Sequence, residues 1–225
     1  MTFIHELKRV FSISTALANN LIEAGNIEIH KASSIVRHTK DYPNHIYFIL
    51  SGTAFLTSHR DGEEHFYTFL TQGQIPNIMG LFYDDTIEFR AEALTDIRLL
   101  SIPTKKSIEL FESNSEFARL IAKNSARNVF ILNNILEIQR LKDQVVKVKS
   151  LVFLLFNLTD QSSISITTKQ VANLLSISRN TAVKAMKELE EKNVIQMGYG
   201  KIEKGETWDN KWNPIGHVVF PTNSS

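Results

Sequence analysis

The 225 residues are 43% hydrophobic and 22% charged, with a net charge of +1, an ordinary soluble balance that is long enough for one or two self-supporting cores. Cysteine is absent, which excludes disulfides, thiolate-held iron–sulfur clusters and thiol redox sensing, and no apolar run approaches the roughly 18 residues of a membrane span. Residues 1–115 hold 10 Lys and Arg against 14 Asp and Glu, and residues 116–225 hold 15 against 10, the distribution of a nucleic-acid reader joined to a different module.

The opening MTFIHELKRVFS mixes acids and bases and lacks a signal peptide's apolar stretch, so a cytoplasmic protein is expected. Phe3, Leu7, Val10 and Phe11 recur at helical spacing, and Ala16 to Glu23 continues as a second helical piece. From Gly25 the period changes to two. Asn26–His30, Ser34–Arg37, His45–Leu50, Thr53–Thr57, His65–Leu70, Ile87–Ala93 and Ile97–Ile102 read as short strands. Gly52, Arg60–Glu63, Gly73 and Gly80 supply turn signals about every ten residues. This pattern predicts an antiparallel roll or barrel over residues 1–104.

Thr104 is placed to cap a short helix, Lys105 to Phe111, and a longer helix without Gly or Pro follows from Ser115 to Leu141. Ala122, Ser125, Val129, Leu132 and Leu136 step by three and four, the spacing of a coiled-coil seam. Leu120, Ile131, Ile135 and Ile138 form a second apolar face, which Asn124 and Arg127 interrupt. Two apolar faces need two burials, one on the chain's own roll and one on a partner. Residues 105–141 are therefore expected to carry a homodimer seam, since one recognition helix reads few base pairs; a helix buried inside a monomer is the alternative.

Lys142–Phe156 reads as the first helix of a third segment, 142–225. After a polar loop, residues 167–195, TTKQVANLLSISRNTAVKAMKELEEKNVI, read as two short helices joined by a tight turn. Thr167 and Ser178 are the N-caps. Val171, Ala172, Leu174 and Leu175 line the inner side of the first helix, and Ala182, Ala185, Met186 and Leu189 that of the second. Gln196–Ile202 then forms a hairpin with glycine at the tight positions, which makes the whole a winged helix-turn-helix. Arg179, Asn180 and Lys184 point outward. Arginine bonds bidentately to guanine and asparagine to adenine, and the N-terminal end of the second helix is the end such motifs insert into the major groove. Thr168, Ser178 and Thr181 offer hydroxyls to phosphate oxygens, and Lys187 and Lys201 offer charge. Taken alone, an ordinary helical hairpin with a solvated face gives the same pattern. The tail from Lys204, with Trp208, Trp212 and Val218–Phe220, has no assigned place.

The stretch SISRNTAVKAMKELEEKNVI resembles the recognition helix of Crp/Fnr transcription regulators, with an ungapped likeness from Ile166 to Ile195. The resemblance implies that Arg179 reads guanine and that Lys184 stands for a second arginine. Asn180 stands where many members carry glutamate, which shifts the expected preference from cytosine to adenine, and Ser176 stands where glycine is common at the turn. Tyr47–Gly52, Gly73 and Gly80–Phe82 resemble the family's cyclic-nucleotide-binding roll. Its ligand residues are not matched. The family carries a glycine–glutamate pair and then arginine–serine; here Asn77 and Ile78 stand for the first pair and Glu88 and Phe89 for the second, with Arg90 two residues on. Leu132–Asn133 stands near the point where members touch the base.

The fold expected is α+β: a jelly-roll-like antiparallel β-roll, a long dimerisation helix and a winged helix-turn-helix. The function expected is a homodimeric, sequence-specific regulator of double-stranded DNA, not controlled by cyclic AMP, with its effector unidentified and RNA polymerase as a candidate further partner. The alternative is a ligand-sensing module whose C-terminal domain binds another protein. No enzyme, cofactor, metal or membrane partner is expected: the seven histidines show no HxxxH or HExxH spacing, and no phosphate loop or G-x-S-x-G elbow occurs.

Overall fold

Two amphipathic helices open the chain, α1 (Phe3–Phe11) and α2 (Thr15–Ala24), the second capped by Ser14, whose hydroxyl accepts from Leu17 N–H. The computed structural model describes residues 2–37, 44–60, 63–83, 89–159 and 161–209. Among the described residues seven antiparallel strands follow: β1 (Asn26–His30), β2 (Ile35–Arg37), β3 (His45–Ser51), β4 (Thr53–Arg60), β5 (Glu63–Thr71), β6 (Phe89–Ala93) and β7 (Ile97–Pro103). They form two sheets, ordered β1-β7-β3 and β2-β6-β4-β5.

The alternation of β3 explains why its sequence reads as a nearly continuous apolar run. Tyr47 and Ile49 face the space between the sheets, together with Val36, Leu56, Leu70, Ala91 and Leu99. Ile46, Phe48 and Leu50 face the helices, against Leu7, Phe11, Leu17 and Leu21. A strand buried on both faces loses its polar half. Gly52 joins β3 to β4 at φ +87°, and a Cβ there would meet the Asp96 carbonyl oxygen at 2.3 Å, so only glycine closes this turn.

Helices α3 (Thr104–Ser113) and α4 (Ser115–Arg140) come next. Thr104, expected as the cap of α3, is its first residue, and Pro103 holds the cap position. The chain divides into two compact units between Phe130 and Ile131, inside α4. In the first unit α4 contributes Phe117, Leu120 and Ile121 to the helix-side core of the roll. In the second, Ile131, Ile135 and Ile138 are buried, and Gln139 Nε2 donates to the Leu174 carbonyl at 3.4 Å.

The second unit continues with α5 (Gln144–Thr159), β8 (Ser163–Ser165), α6 (Thr168–Leu175), α7 (Arg179–Glu191), β9 (Ile195–Gly198) and β10 (Lys201–Lys204). The three strands make one antiparallel sheet, β8-β10-β9. Val148, Leu151 and Leu155 of α5 are buried, as are Ala182, Ala185, Met186 and Leu189 of α7, which packs on α5 and α6. The start of the tail has a place: Trp208 stacks on Phe153 at 5.7 Å between ring centroids and meets Phe156 edge-on at 4.8 Å. Trp212 and Val218–Phe220 lie outside the described residues. Among the described residues no helix is long and apolar enough to cross a membrane.

Ser176 ends α6 in the left-handed region, at φ 52° and ψ 44°, a conformation that disfavours a Cβ. Ser176→Gly is expected to raise stability by about 0.5 kcal/mol, since the strain relieved outweighs the added freedom of the unfolded chain. Thermal unfolding checks this as a rise of roughly 1–2 °C.

Candidate nucleic-acid interface

The helix-turn-helix is set by its caps. Thr167 and Gln170 form a reciprocal capping box at the start of α6, which satisfies two orphan donors at once. The turn closes with Ser176 N–H donating to the Asn173 carbonyl and Ile177 N–H to the Ala172 carbonyl, at 3.2 and 3.0 Å. Ser178 then caps α7, accepting from Thr181 N–H at 3.0 Å. Both expected caps hold these positions, so α7 begins with Arg179 and Asn180 in its first turn.

At about 100° per residue, Arg179, Val183, Lys187, Asn180 and Lys184 fall in that order within an arc of about 140°. The buried stripe of α7 occupies the opposite side. Arg179, Asn180, Lys184 and Lys187 are exposed. Among the described residues, none of the four makes a side-chain hydrogen bond or ion pair. Val183, half-buried between Arg179 and Lys187 on the arc, was not singled out from sequence, because a valine beside the buried stripe carries no signal of its own until the helix phase is fixed. Lys169 on α6 is likewise exposed, and only its charge marked it.

The candidate phosphate contacts are less free. The Ser178 and Thr181 hydroxyls bond each other at 2.8 Å, and Lys201 donates to Glu203 at 2.6 Å in a pair open to water. Such a surface pair holds weakly and exchanges for phosphate at little cost. Thr168 is half-buried in the first turn of α6. The wing is tied to α7 by Met197 N–H, which donates to Glu190 Oε1 at 2.8 Å.

On α4 the candidate dimer seam is uncovered. Ala122 is exposed, Val129 is 56% and Leu136 50% exposed, and Ser125 and Leu132 are half-buried.

In the roll, a short 3-10 helix, Ile78–Leu81, stands where the resemblance puts a phosphate-binding turn. Asn77 takes the left-handed region there, at φ 63°, and donates from Nδ2 to the His45 carbonyl at 2.9 Å. Ile78, in the place of an acid, is packed into the helix-side core. Arg90 lies on the face of β6 opposite Phe89 and Ala91 and pairs with Glu92 at 3.2 Å, so it does not reach the space between the sheets. Glu88 lies outside the described residues. Arg37 donates to Glu28 from Nη2 and to the Tyr47 hydroxyl from Nε at 2.8 Å, and His30 Nε2 bonds Glu28 at 3.1 Å. Burial pushes the Glu28 carboxyl up, but the Arg37 and His30 hydrogen bonds and the Arg37 charge outweigh it and hold the group below the usual carboxylate range.

Comparison with known proteins agrees with this layout. The cyclic nucleotide-binding domain profile matches residues 27–114. A cAMP-activated global transcriptional regulator from Haemophilus influenzae is 26% identical over 195 residues, 77% of this chain and 81% of that protein. Among solved structures, the c-di-GMP-responsive global regulator CLP of Xanthomonas campestris superposes with a TM-score of 0.71 at 15% identity, covering 86% of this chain and all of that one. A Crp/Fnr-family regulator from Eubacterium rectale superposes with a TM-score of 0.66 at 17% identity, covering 89% and 93%.

Because the Glu28 carboxyl is held low, its stabilising effect is present above the unfolded value near 4.3 and is lost as pH falls through the lower folded value. Glu28→Gln is expected to flatten the decline in stability from about pH 5 downward; urea midpoints measured across that range check it.

Proposed function

We propose that this chain, a Crp/Fnr-type transcription regulator and not an enzyme, acts as a homodimer that reads a two-fold symmetric DNA site without cyclic AMP. The observation that carries the reading is the outward arc of α7: a guanidinium, a carboxamide and two ammonium groups, uncommitted and side by side behind a capped N-terminus. An arc with no internal partner is poised for an external one. A helix of this width fits the major groove, and its N-terminal residues reach base edges.

Arg179 takes guanine by its bidentate fork, and Asn180 takes adenine. Val183, between Arg179 and Lys187 on the arc, is placed against a thymine methyl. Lys187, Lys201, Thr168, Ser178 and Thr181 hold the phosphates and set the register. One such helix reads few base pairs, so a second copy about one DNA turn away supplies the rest. The seam of Ala122, Ser125, Val129, Leu132 and Leu136 supports a symmetric pairing of α4 helices, since it leaves apolar side chains in water that a twin helix would cover. RNA polymerase is a further partner for a regulator bound at a promoter.

The reading against cyclic AMP rests on charge. A cyclic phosphate buried in the roll needs a cation and backbone donors, and its ribose needs an acid. Ile78 offers no acid, Arg90 faces away, and Arg37 is already neutralised by Glu28.

Selection of bound duplexes from a random pool, with purified protein and no small molecule, tests the whole reading; a palindrome enriched in each half is expected. Failure to enrich any sequence would favour a protein-binding role for the C-terminal domain. Arg179→Ala is expected to cost about 1–3 kcal/mol and to relax specificity at one base pair per half-site. Lys187→Ala should weaken all sequences alike and lower the salt slope by about 1. Cyclic AMP is expected to leave the melting temperature unchanged, and a rise that grows with ligand concentration overturns that part.

A further inference from the structure

The inward face of α4 is polar where its apolar pattern breaks, and the polar groups are all committed to one turn of the roll. Asn124 is only 5% exposed. Its Oδ1 accepts from Ile75 N–H at 2.7 Å, and its Nδ2 donates to the Gly73 carbonyl at 2.8 Å. One helical turn on, Asn128 Oδ1 accepts from Gln74 Nε2 at 3.2 Å, and Asn128 Nδ2 donates to the Ile75 carbonyl at 3.3 Å. Arg127 Nη2 adds a bond to the Gln72 carbonyl at 3.3 Å.

The turn that receives these bonds is itself braced. Gln74 Oε1 accepts from Thr71 N–H at 2.6 Å, Gly73 N–H donates to the Ile49 carbonyl at 2.9 Å, and Ile49 N–H donates to the Gln74 carbonyl at 3.0 Å. Gly73 sits at φ +79°, and a Cβ there would lie 2.7 Å from Arg127 Nη1. The helix therefore lies directly against main chain.

Apolar contacts such as those of Phe117, Leu120 and Ile121 tolerate sliding and rotation. Two amides one turn apart, each bonded in two directions to groups of fixed position, do not, because hydrogen bonds weaken steeply with misalignment. They fix both the height and the rotation of α4 on the roll. The rotation decides which side chains of α4 in this unit face away, and those include Ala122, Ser125 and Val129 of the seam.

We propose that Asn124 and Asn128 are positioning residues for dimerisation: their amides lock α4 to the Thr71–Ile75 turn, so that the seam is presented, and DNA is bound, without a small molecule. This rests on the homodimeric reading above. The protein itself supplies, as permanent hydrogen bonds, the ordering contacts that a ligand-controlled helix would receive from its ligand.

The test uses the full chain with Asn124→Ala and Asn128→Ala combined, and Asn128→Ala alone in case the pair does not fold. Sedimentation equilibrium gives the dimer constant, titration with the selected duplex gives DNA affinity, and hydrogen exchange reads the Gly73–Ile75 amides. The expected result is native circular dichroism, faster exchange at those amides, a dimer constant weakened at least tenfold and DNA affinity falling in step. Val129→Cys, in a chain with no other cysteine, is then expected to restore DNA binding to the substituted chain once oxidised across the seam. Variants that dimerise as tightly as the unsubstituted chain overturn the proposal, as does an oxidised, tethered variant that still fails to bind. An unsubstituted chain that is monomeric and binds no duplex fails in the control instead, and takes the parent reading down as well.

Discussion

The constraint on which the rest depends is the burial demand of α4, a helix of 26 residues with apolar side chains on two faces. The inward face is met inside the chain, by Phe117, Leu120 and Ile121 in one unit and by Ile131, Ile135 and Ile138 in the other. Among the described residues the outward face is left open, and Val129 and Leu136 stand half in water. Burying such a side chain is worth about 1.5–3 kcal/mol. A seam of them at heptad spacing therefore supplies a driving force that acts along the helix and favours a partner with the same period.

Much of this was legible in the sequence because local signals and tertiary demands coincide. Thr167 with Gln170, and Ser178, mark the starts of α6 and α7 through hydrogen bonds made within one turn, which need no knowledge of the rest of the chain. The strands were legible through their period of two, and β6, with Phe89, Ala91 and Ala93 inward and Arg90 and Glu92 outward, keeps it strictly. What was not legible depends on residues far apart. Asn124 looks like a break in an apolar face until a turn some fifty residues earlier is placed against it. Arg37 and Glu28 sit on different strands, and neither marks the other. Trp208 gains its place only when Phe153 and Phe156 are known to share a surface with it. Such contacts are set by the packing of elements, which periodicity does not encode.

Fold and chemistry come apart in the roll. Within residues 27–114, which the cyclic nucleotide-binding domain profile matches, Gly52 shapes the backbone at a point where no side chain fits. The short 3-10 helix at Ile78–Leu81 shapes another, with the Ile78 and Leu81 side chains turned to the protein itself. Asn77 keeps the left-handed conformation, which asparagine tolerates among non-glycine residues, and turns its side chain to a backbone carbonyl. Ile78 turns a polar place into core.

The roll has to keep α4 in one orientation, and apolar packing alone does this poorly. Burying a carboxamide is costly unless both of its ends are bonded. The Asn124 amide meets that condition, with its oxygen on Ile75 N–H and its nitrogen on the Gly73 carbonyl. Leucine at position 124 would extend the apolar face and leave Ile75 N–H without its acceptor. The amide thus gives up little stability and gains a defined rotation. That exchange makes sense where rotation matters, and under the dimeric reading proposed above it matters because the opposite face would carry the seam.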